Sequence, residues 1–341
     1  MTVVPKKVLI IRFSSIGDIV LCSPVVRCIK KQWGAEVHFI TKSKFKNLLT
    51  ASPYVDDILT IENKVSEVKE RLQEENYDLV VDLHKNIRSQ QVRSICKTQY
   101  VSFDKINLEK WLAVHTPINL LPKKHLVDRY FEGLSKTGLT YDGLGLDHFV
   151  SDADILKAKS RTPSSYAVIS LGATYATKRP PLDRLLVLCN STTLPIVLIG
   201  GPDVEDLSKE LESKLSKPVT NLVSKVSLGV SSAIVRSASY VVTGDSGMMH
   251  IAAAHRRKLI AFWGSTHPAL GMYPYYPKGE NISYFPLVLN LACQPCSKIG
   301  KDTCPKGHFN CMLDITDTSI QSAVRDVELD VSAQSYNNNL F

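Results

Sequence analysis

Short apolar runs separated by amphipathic stretches recur along this 341-residue chain. Val8 to Ile11 is continuously apolar, as a parallel strand covered on both faces requires. It leads into the polar turn Arg12 to Asp18 and a helix with Leu21, Val25, Cys28 and Ile29 on one side, whose regular part Ser23-Pro24 either caps or kinks. The same alternation predicts strands over 36–41, 57–61, 79–83 and 99–103, helices over 44–51, 65–75 and 88–95 between them, and a helix over 125–137. A turn-rich stretch of about thirty residues, ending at Pro163-Ser164-Ser165, reads as a linker. Alternation then restarts, with strands over 166–171, 194–199, 220–222, 240–243 and 259–263 and helices over 181–191, 204–215, 228–237 and 248–255. The pattern predicts two Rossmann-like α/β domains in series, each a parallel sheet with right-handed crossovers. Expected boundaries are 1–150, 151–315 and a closing helix and tail over 316–341. Periodicity lapses near Leu289 to Cys311, resumes as a helix over 318–327, and leaves Ser332 to Asn339 to fray.

Composition narrows the class. Apolar residues are 44% of the chain and charged residues 22%, a globular balance. No apolar run approaches the roughly 18 residues that span a bilayer. The amino terminus goes straight into a strand and lacks signal-peptide anatomy, so a cytoplasmic protein is expected. Lys plus Arg exceed Asp plus Glu by 41 to 33, a net charge of +8 that suits an anionic substrate, an anionic membrane face or nucleic acid without choosing among them. No nucleic-acid-binding module or aromatic stacking platform is evident.

Candidate chemistry collects at strand ends, because ligands of open parallel sheets bind beyond the carboxyl edge. The stretch Tyr240 to Gly264 reads as strand, polar turn, small-residue helix and buried strand. A helix start there offers unpaired amides and a partial positive charge, and Gly247 allows close approach, so Asp245, Ser246, Gly247 and His250 are expected to face a phosphate-bearing ligand. Lys178, leaving the first strand of the second domain, is read as a point charge on a departing diphosphate or else as a surface lysine. The turn Ile199-Gly-Gly-Pro-Asp203 shares that edge. Asp18 is either a helix cap or a general base on an acceptor hydroxyl. Two such sheets facing across a cleft would offer one reactive group from each side.

Several look-alikes fail. Gly244-Asp-Ser-Gly247 has no partners placed for a protease triad, and neither a dinucleotide fingerprint nor a Walker lysine loop opens either domain. Asp152 and Asp154 suit the first turn of a helix better than a metal. Cys22, Cys28, Cys96 and Cys189 lie scattered in apolar contexts, whereas Cys293, Cys296, Cys304 and Cys311 cluster, with His308 between the last two. One C-x-x-C has zinc-like spacing and the second pair is wider than a standard ribbon, so zinc, reduced structural thiols and a disulfide or redox role all stay open.

Arg12-Phe-Ser-Ser-Ile-Gly-Asp18, the Gly172 to Lys178 turn, Ile199-Gly-Gly-Pro, Thr243 to Ala254 and Phe262-Trp-Gly-Ser-Thr-His-Pro268 together resemble the ADP-heptose:lipopolysaccharide heptosyltransferase family, in order from about Lys7 to Met312. Cys304-Pro-Lys-Gly-His-Phe-Asn-Cys311-Met looks like a segment of the branch that adds the second heptose. The resemblance implies a GT-B fold and inverting, metal-independent transfer from a nucleotide-activated heptose to an inner-core sugar of a membrane-embedded glycolipid, with no required cofactor and peripheral contact at the inner membrane face. It assigns Asp18 as base, Thr174 and Lys178 to the donor diphosphate, and Asp245, Ser246, Gly247 and His250 to the donor motif. Arg12, Ser15, His84 and Lys85 are expected near the acceptor. Two positions depart from the family pattern: Arg179-Pro-Pro follows the lysine where tryptophan and proline are common, and Asp82-Leu-His-Lys-Asn86 replaces Asp-Leu-Gln. The rival readings are a GT-B transferase or epimerase using another nucleotide sugar, and a non-catalytic nucleotide-sugar binder.

Overall fold

A computed structural model describes residues 4–338. The chain divides into two compact units, Met1–Ile106 with Lys124–Phe149 and Asn107–Lys123 with Val150–Phe341. In the first unit β1 (Lys7–Ile11), β2 (Glu36–Lys42), β3 (Asp57–Ile61), β4 (Leu79–Asp82) and β5 (Gln99–Ser102) form an all-parallel sheet in the order β3-β2-β1-β4-β5. Val8, Leu9, Ile10 and Ile11 are fully buried, which is why the central strand carries no alternating polar face. In the second unit β6 (Ala167–Ser170), β7 (Ile196–Ile199), β8 (Val219–Asn221), β9 (Tyr240–Gly244), β10 (Lys258–Phe262) and β11 (Tyr284–Leu287) run in the order β11-β10-β9-β6-β7-β8, again parallel throughout.

The first crossover is two helices, α1 (Ile16–Val20) and α2 (Ser23–Trp33), rather than one. Pro24 sits in the first turn of α2, where its missing N–H costs nothing, so the proline starts a helix and does not kink one. Buried Arg27 on α2 donates to Asp142, Asp147 and the Gly145 carbonyl, fastening the loop that closes this unit. The expected helix over 44–51 is a short 3-10 turn, Ser43–Leu48. The helix expected over 65–75 begins as a 3-10 turn at Val65–Val68 and becomes α3 (Lys69–Glu74), followed by α4 (Ile87–Cys96). Next come α5 (Asn107–His115), which the sequence pattern misses because none of its residues is buried, and α6 (Leu126–Leu134).

The stretch read as linker contains α7 (Asp152–Lys159), whose Ser151 cap receives the Asp154 amide, so the two aspartates sit in a helix's first turn. The remaining helices are α8 (Leu182–Ser191), α9 (Glu205–Lys214), α10 (Leu228–Ser237), α11 (Gly247–Ala254), α12 (Asn310–Leu313) and α13 (Asp317–Asn338). The last runs as helix to Asn338, where fraying is expected from Ser332; Asn339 lies outside the described residues. In α13, Ile320, Ala323, Val324 and Val327 enter the core beneath β9 to β11, and Glu328 accepts from Thr192, Thr193 and Tyr240.

Candidate active site

At the carboxyl edge of β1, Arg12 turns inward instead of outward. Only 8% exposed, its guanidinium donates to the Ser14 carbonyl at 2.8 Å, to the Leu83 carbonyl and to the Tyr130 hydroxyl, and pairs with Asp18. Asp18 in turn accepts from the Ser15 amide at 3.0 Å and its hydroxyl at 2.8 Å, the capping box of α1. Burial alone would favour the neutral acid, but the Arg12 charge and the Ser15 donors outweigh it and hold Asp18 down to about 2. Asp18 thus closes the capping box of α1 and stands there as an ionised carboxylate.

His84 follows β4 with its ring edge-on to Phe13, centroids 5.4 Å apart. Its amide and that of Lys85 donate to buried Asp82, which also accepts from Tyr100. Burial, then Arg12 and Lys105, push His84 down to about 4, so the ring is neutral near pH 7. Lys85 Nζ is spent on the Phe103 carbonyl at 3.0 Å, and Lys105 Nζ on the Lys85 carbonyl at 3.0 Å. The residues expected near the acceptor are gathered at one edge, but Arg12, Ser15 and Lys85 already have partners within the unit.

The second unit gathers its candidates around β6, β9 and β10. Lys178 Nζ lies 2.9 Å from Asp245 Oδ2, which also accepts from Thr266 Oγ1 at 2.7 Å. Ser246 begins α11 without capping it, because its hydroxyl bonds that of Thr243 at 2.8 Å. The first amides of α11 therefore have no side-chain cap, and the helix end keeps its attraction for an anion. His250 is buried one turn on, while Thr174 is exposed on the turn before Lys178.

Glycines set this geometry. A Cβ at Gly244 would collide with the Lys178 carbonyl, and one at Gly264 with the Thr177 carbonyl, so both strand ends need glycine for the Lys178 turn to lie across them. Thr177, which the sequence reading passed over, is buried and bonded through its hydroxyl to Ser265 and to the Lys301 carbonyl, each at 2.8 Å. Arg179, which departs from the family pattern, joins the two glycine-rich turns. Its guanidinium donates to the Ala173 carbonyl and reaches the Asp203 carboxylate and carbonyl. A basic residue directly after the lysine, with an aspartate in the neighbouring turn, was the available signal.

All eight cysteines are free thiols, so no disulfide closes the Cys293 to Cys311 cluster. Burial raises Cys296, and raises Cys311 to about 12, in each case with the neighbouring cysteine sulfurs adding to the effect. Cys304 is lowered: burial opposes this, but backbone amides of Phe309, Lys306, Gly307 and His308 facing its sulfur outweigh it.

Two parallel sheets with polar turns at the carboxyl ends of their strands define the GT-B fold, which this chain shares with solved glycosyltransferases. The family model of glycosyltransferase family 9 (heptosyltransferase) matches residues 65–305, and the chain belongs to that family. A lipopolysaccharide heptosyltransferase 1 from Campylobacter coli is 24% identical over 76% of this chain and 84% of its own. The structure of a family 9 glycosyltransferase from Veillonella parvula has a TM-score of 0.77 at 16% identity, over 95% of this chain and 98% of that one. The E. coli ADP-heptose lps heptosyltransferase II has a TM-score of 0.71 at 18% identity, over 95% and 99%. Among the described residues no helix is long and apolar enough to cross a membrane.

Proposed function

We propose that the protein transfers heptose from ADP-heptose to an inner-core sugar of lipopolysaccharide, with inversion and without a metal at the reacting centre, working at the inner face of the membrane that holds the acceptor. The observation that carries this reading is the Lys178–Asp245 pair at the uncapped start of α11. A diphosphate seated there meets the Lys178 ammonium and the Ser246 and Gly247 amides, which supply the charge stabilisation a metal gives elsewhere. Asp245 orients Lys178, and its remaining acceptor capacity suits hydroxyls of the donor sugar. Thr174, exposed on the same turn, and His250 complete the donor side. Names of relatives carry the donor and acceptor: an ADP-heptose lps heptosyltransferase and a lipopolysaccharide heptosyltransferase 1.

Asp18 is the base in this reading. Its pairing with Arg12 keeps it ionised but also keeps it weak, since a group at about 2 has little drive to take a hydroxyl proton. Acceptor binding that loosens the Arg12 contact raises its basicity where the proton must go.

Thermal stability of desalted protein with ADP, UDP, GDP and CDP, with and without magnesium, tests the donor site. Saturating ligand at about 100 times its Kd adds roughly 2.7 kcal/mol. Stabilisation selective for ADP and independent of magnesium is expected. Preference for UDP or GDP replaces the donor, and no response to any nucleotide sinks the reading.

A further inference from the structure

One helix of the chain is turned inside out. Along α5, Leu108, Trp111 and His115 recur at i, i+3 and i+7 and so share a face, and that face is the exposed one. Glu109, Lys110 and Ala113, on the opposite side, are half-buried. A surface helix normally faces the other way, apolar stripe inward. The apolar exposure continues past the helix end: Leu108, Trp111, Ile118 and Leu120 are all 48–67% exposed. Elsewhere among the described residues large exposed apolar side chains stand singly, as Leu156 on α7 and Leu329 on α13 do, and single ones call for no explanation.

The exposed indole is held in place. The His115 ring stacks on it with centroids 5.1 Å apart and an interplanar angle of 20°, and His115 Nδ1 donates to the Trp111 carbonyl at 2.9 Å. The segment starts at the edge of the first sheet where His84 and Lys85 lie. Lys85 Nζ donates to the Phe103 carbonyl and Lys105 Nζ to the Lys85 carbonyl, each at 3.0 Å, so the turns that follow β4 and β5 are stitched together there. Ile106 then sends the chain into α5 from a left-handed backbone, φ +47°, that a β-branched residue rarely adopts, its amide held by Asp104 Oδ1 at 2.9 Å. Ile87, which opens α4 from the neighbouring turn, is exposed as well. Charge completes the pattern. Over residues 104–124, Lys105, Lys110, Lys123 and Lys124 stand against Asp104 and Glu109, in a chain of net charge +8.

We infer that α5 and the stretch that follows it to Leu121 are an interfacial anchor that lies flat on an anionic phospholipid bilayer, with Leu108, Trp111, Ile118 and Leu120 below the headgroups and the lysines among them. Nine residues of helix reach about 14 Å, less than half of the roughly 30 Å hydrocarbon core, so the segment lies along the surface and does not cross it. Apolar side chains with a tryptophan among them, flanked by lysines, match what the headgroup layer accommodates. A second copy of the chain fits this face less well, because a self-complementary contact sets lysines against lysines. The anchor rests on the proposed function in one respect: an acceptor held in a membrane brings the bilayer to the edge where His84 and Lys85 stand.

Full-length protein is floated with vesicles of phosphatidylcholine alone and with vesicles in which about one-third of the lipid is phosphatidylglycerol. Binding to the anionic vesicles that weakens as salt rises is expected, with little binding to the neutral ones. Trp111→Gln combined with Leu120→Gln is expected to weaken partition about tenfold or more, and Lys123→Gln about fivefold. Leu156→Gln and Leu329→Gln, on exposed apolar side chains elsewhere, keep wild-type binding. Should the double variant fail to fold, wild-type protein and Trp111→Phe decide the matter: bromine-labelled acyl chains quench the tryptophan emission of the first and not of the second. Full binding by the folded double variant, equal loss in Leu156→Gln, or no quenching overturns the anchor. A lipid-free oligomer that the double variant dissociates also overturns it and gives the face to a second copy. The ADP response keeps the two proposals apart. Vesicle binding without ADP stabilisation leaves the anchor and removes the donor reading, whereas ADP stabilisation without vesicle binding does the reverse.

Discussion

Each unit places a cation against a carboxylate at the carboxyl edge of its sheet, yet the two pairs are set differently. Arg12–Asp18 is closed: guanidinium and carboxylate are both engaged by Ser14, Ser15, Leu83 and Tyr130 as well as by each other. Lys178–Asp245 is open: among the described residues Thr266 is the one further hydrogen-bond partner of the carboxylate, and the helix start beside it is uncapped. A closed pair holds a fixed geometry and a fixed charge, and it must be disturbed to react. An open pair can exchange its internal contact for a ligand, with the lysine passing from aspartate to phosphate. On the proposed reading, this contrast suits the second unit to bind and the first to be triggered.

Substitutions at the two pairs give the largest effects. Asp18→Asn is expected to lower turnover by about 10² to 10⁴, the usual worth of a general base, while ADP still stabilises the protein. If turnover stays and only about 1 kcal/mol of stability goes, Asp18 is a cap and nothing more. Lys178→Ala is expected to lower turnover by about 10² to 10³ and to remove most of the ADP response, because on the proposed reading it deletes a donor to the leaving diphosphate. Equal loss of ADP binding in both variants would erase the contrast between the units.

Smaller effects sharpen it. Gly244→Ala forces the Lys178 turn off β9, and denaturant unfolding should show a loss of about 1–3 kcal/mol together with weaker ADP binding. In the first unit, burial lowers both His84 and His148 to about 4. Between that value and an unfolded value near 6.5 the unfolded chain binds more protons, so stability falls as pH drops through this window and is kept above it. Moving from pH 7 to pH 5 should cost about 1–2 kcal/mol per histidine, and His148→Gln should flatten the slope of stability against pH.

The paired sheets were legible because buried parallel strands write continuous apolar runs, as at Val8 to Ile11 and Tyr240 to Thr243. Strand β11 escaped because its exposed Pro286 and half-buried neighbours belong to an edge, and α5 escaped because it has no buried face to mark a period. For the candidate site, residue types at strand ends pointed to Asp18, Lys178 and Asp245, since only a few positions there can face a ligand. Their partners were not readable: that Arg12 turns inward to Asp18, or that Thr177 ties the Lys178 turn to Lys301, depends on contacts between residues up to 124 positions apart.

The closing helix α13 has a consequence for how the protein is made. It covers part of the core beneath β9 to β11 and supplies Glu328 to Thr192, Thr193 and Tyr240, so the second unit lacks a piece of its interior until that helix has left the ribosome. The first unit has all its strands by Ser102 and its last residue at Phe149. During synthesis the half that holds Asp18 can settle early, while α5, born in the middle of that half but grouped with the other, waits for a partner still being translated.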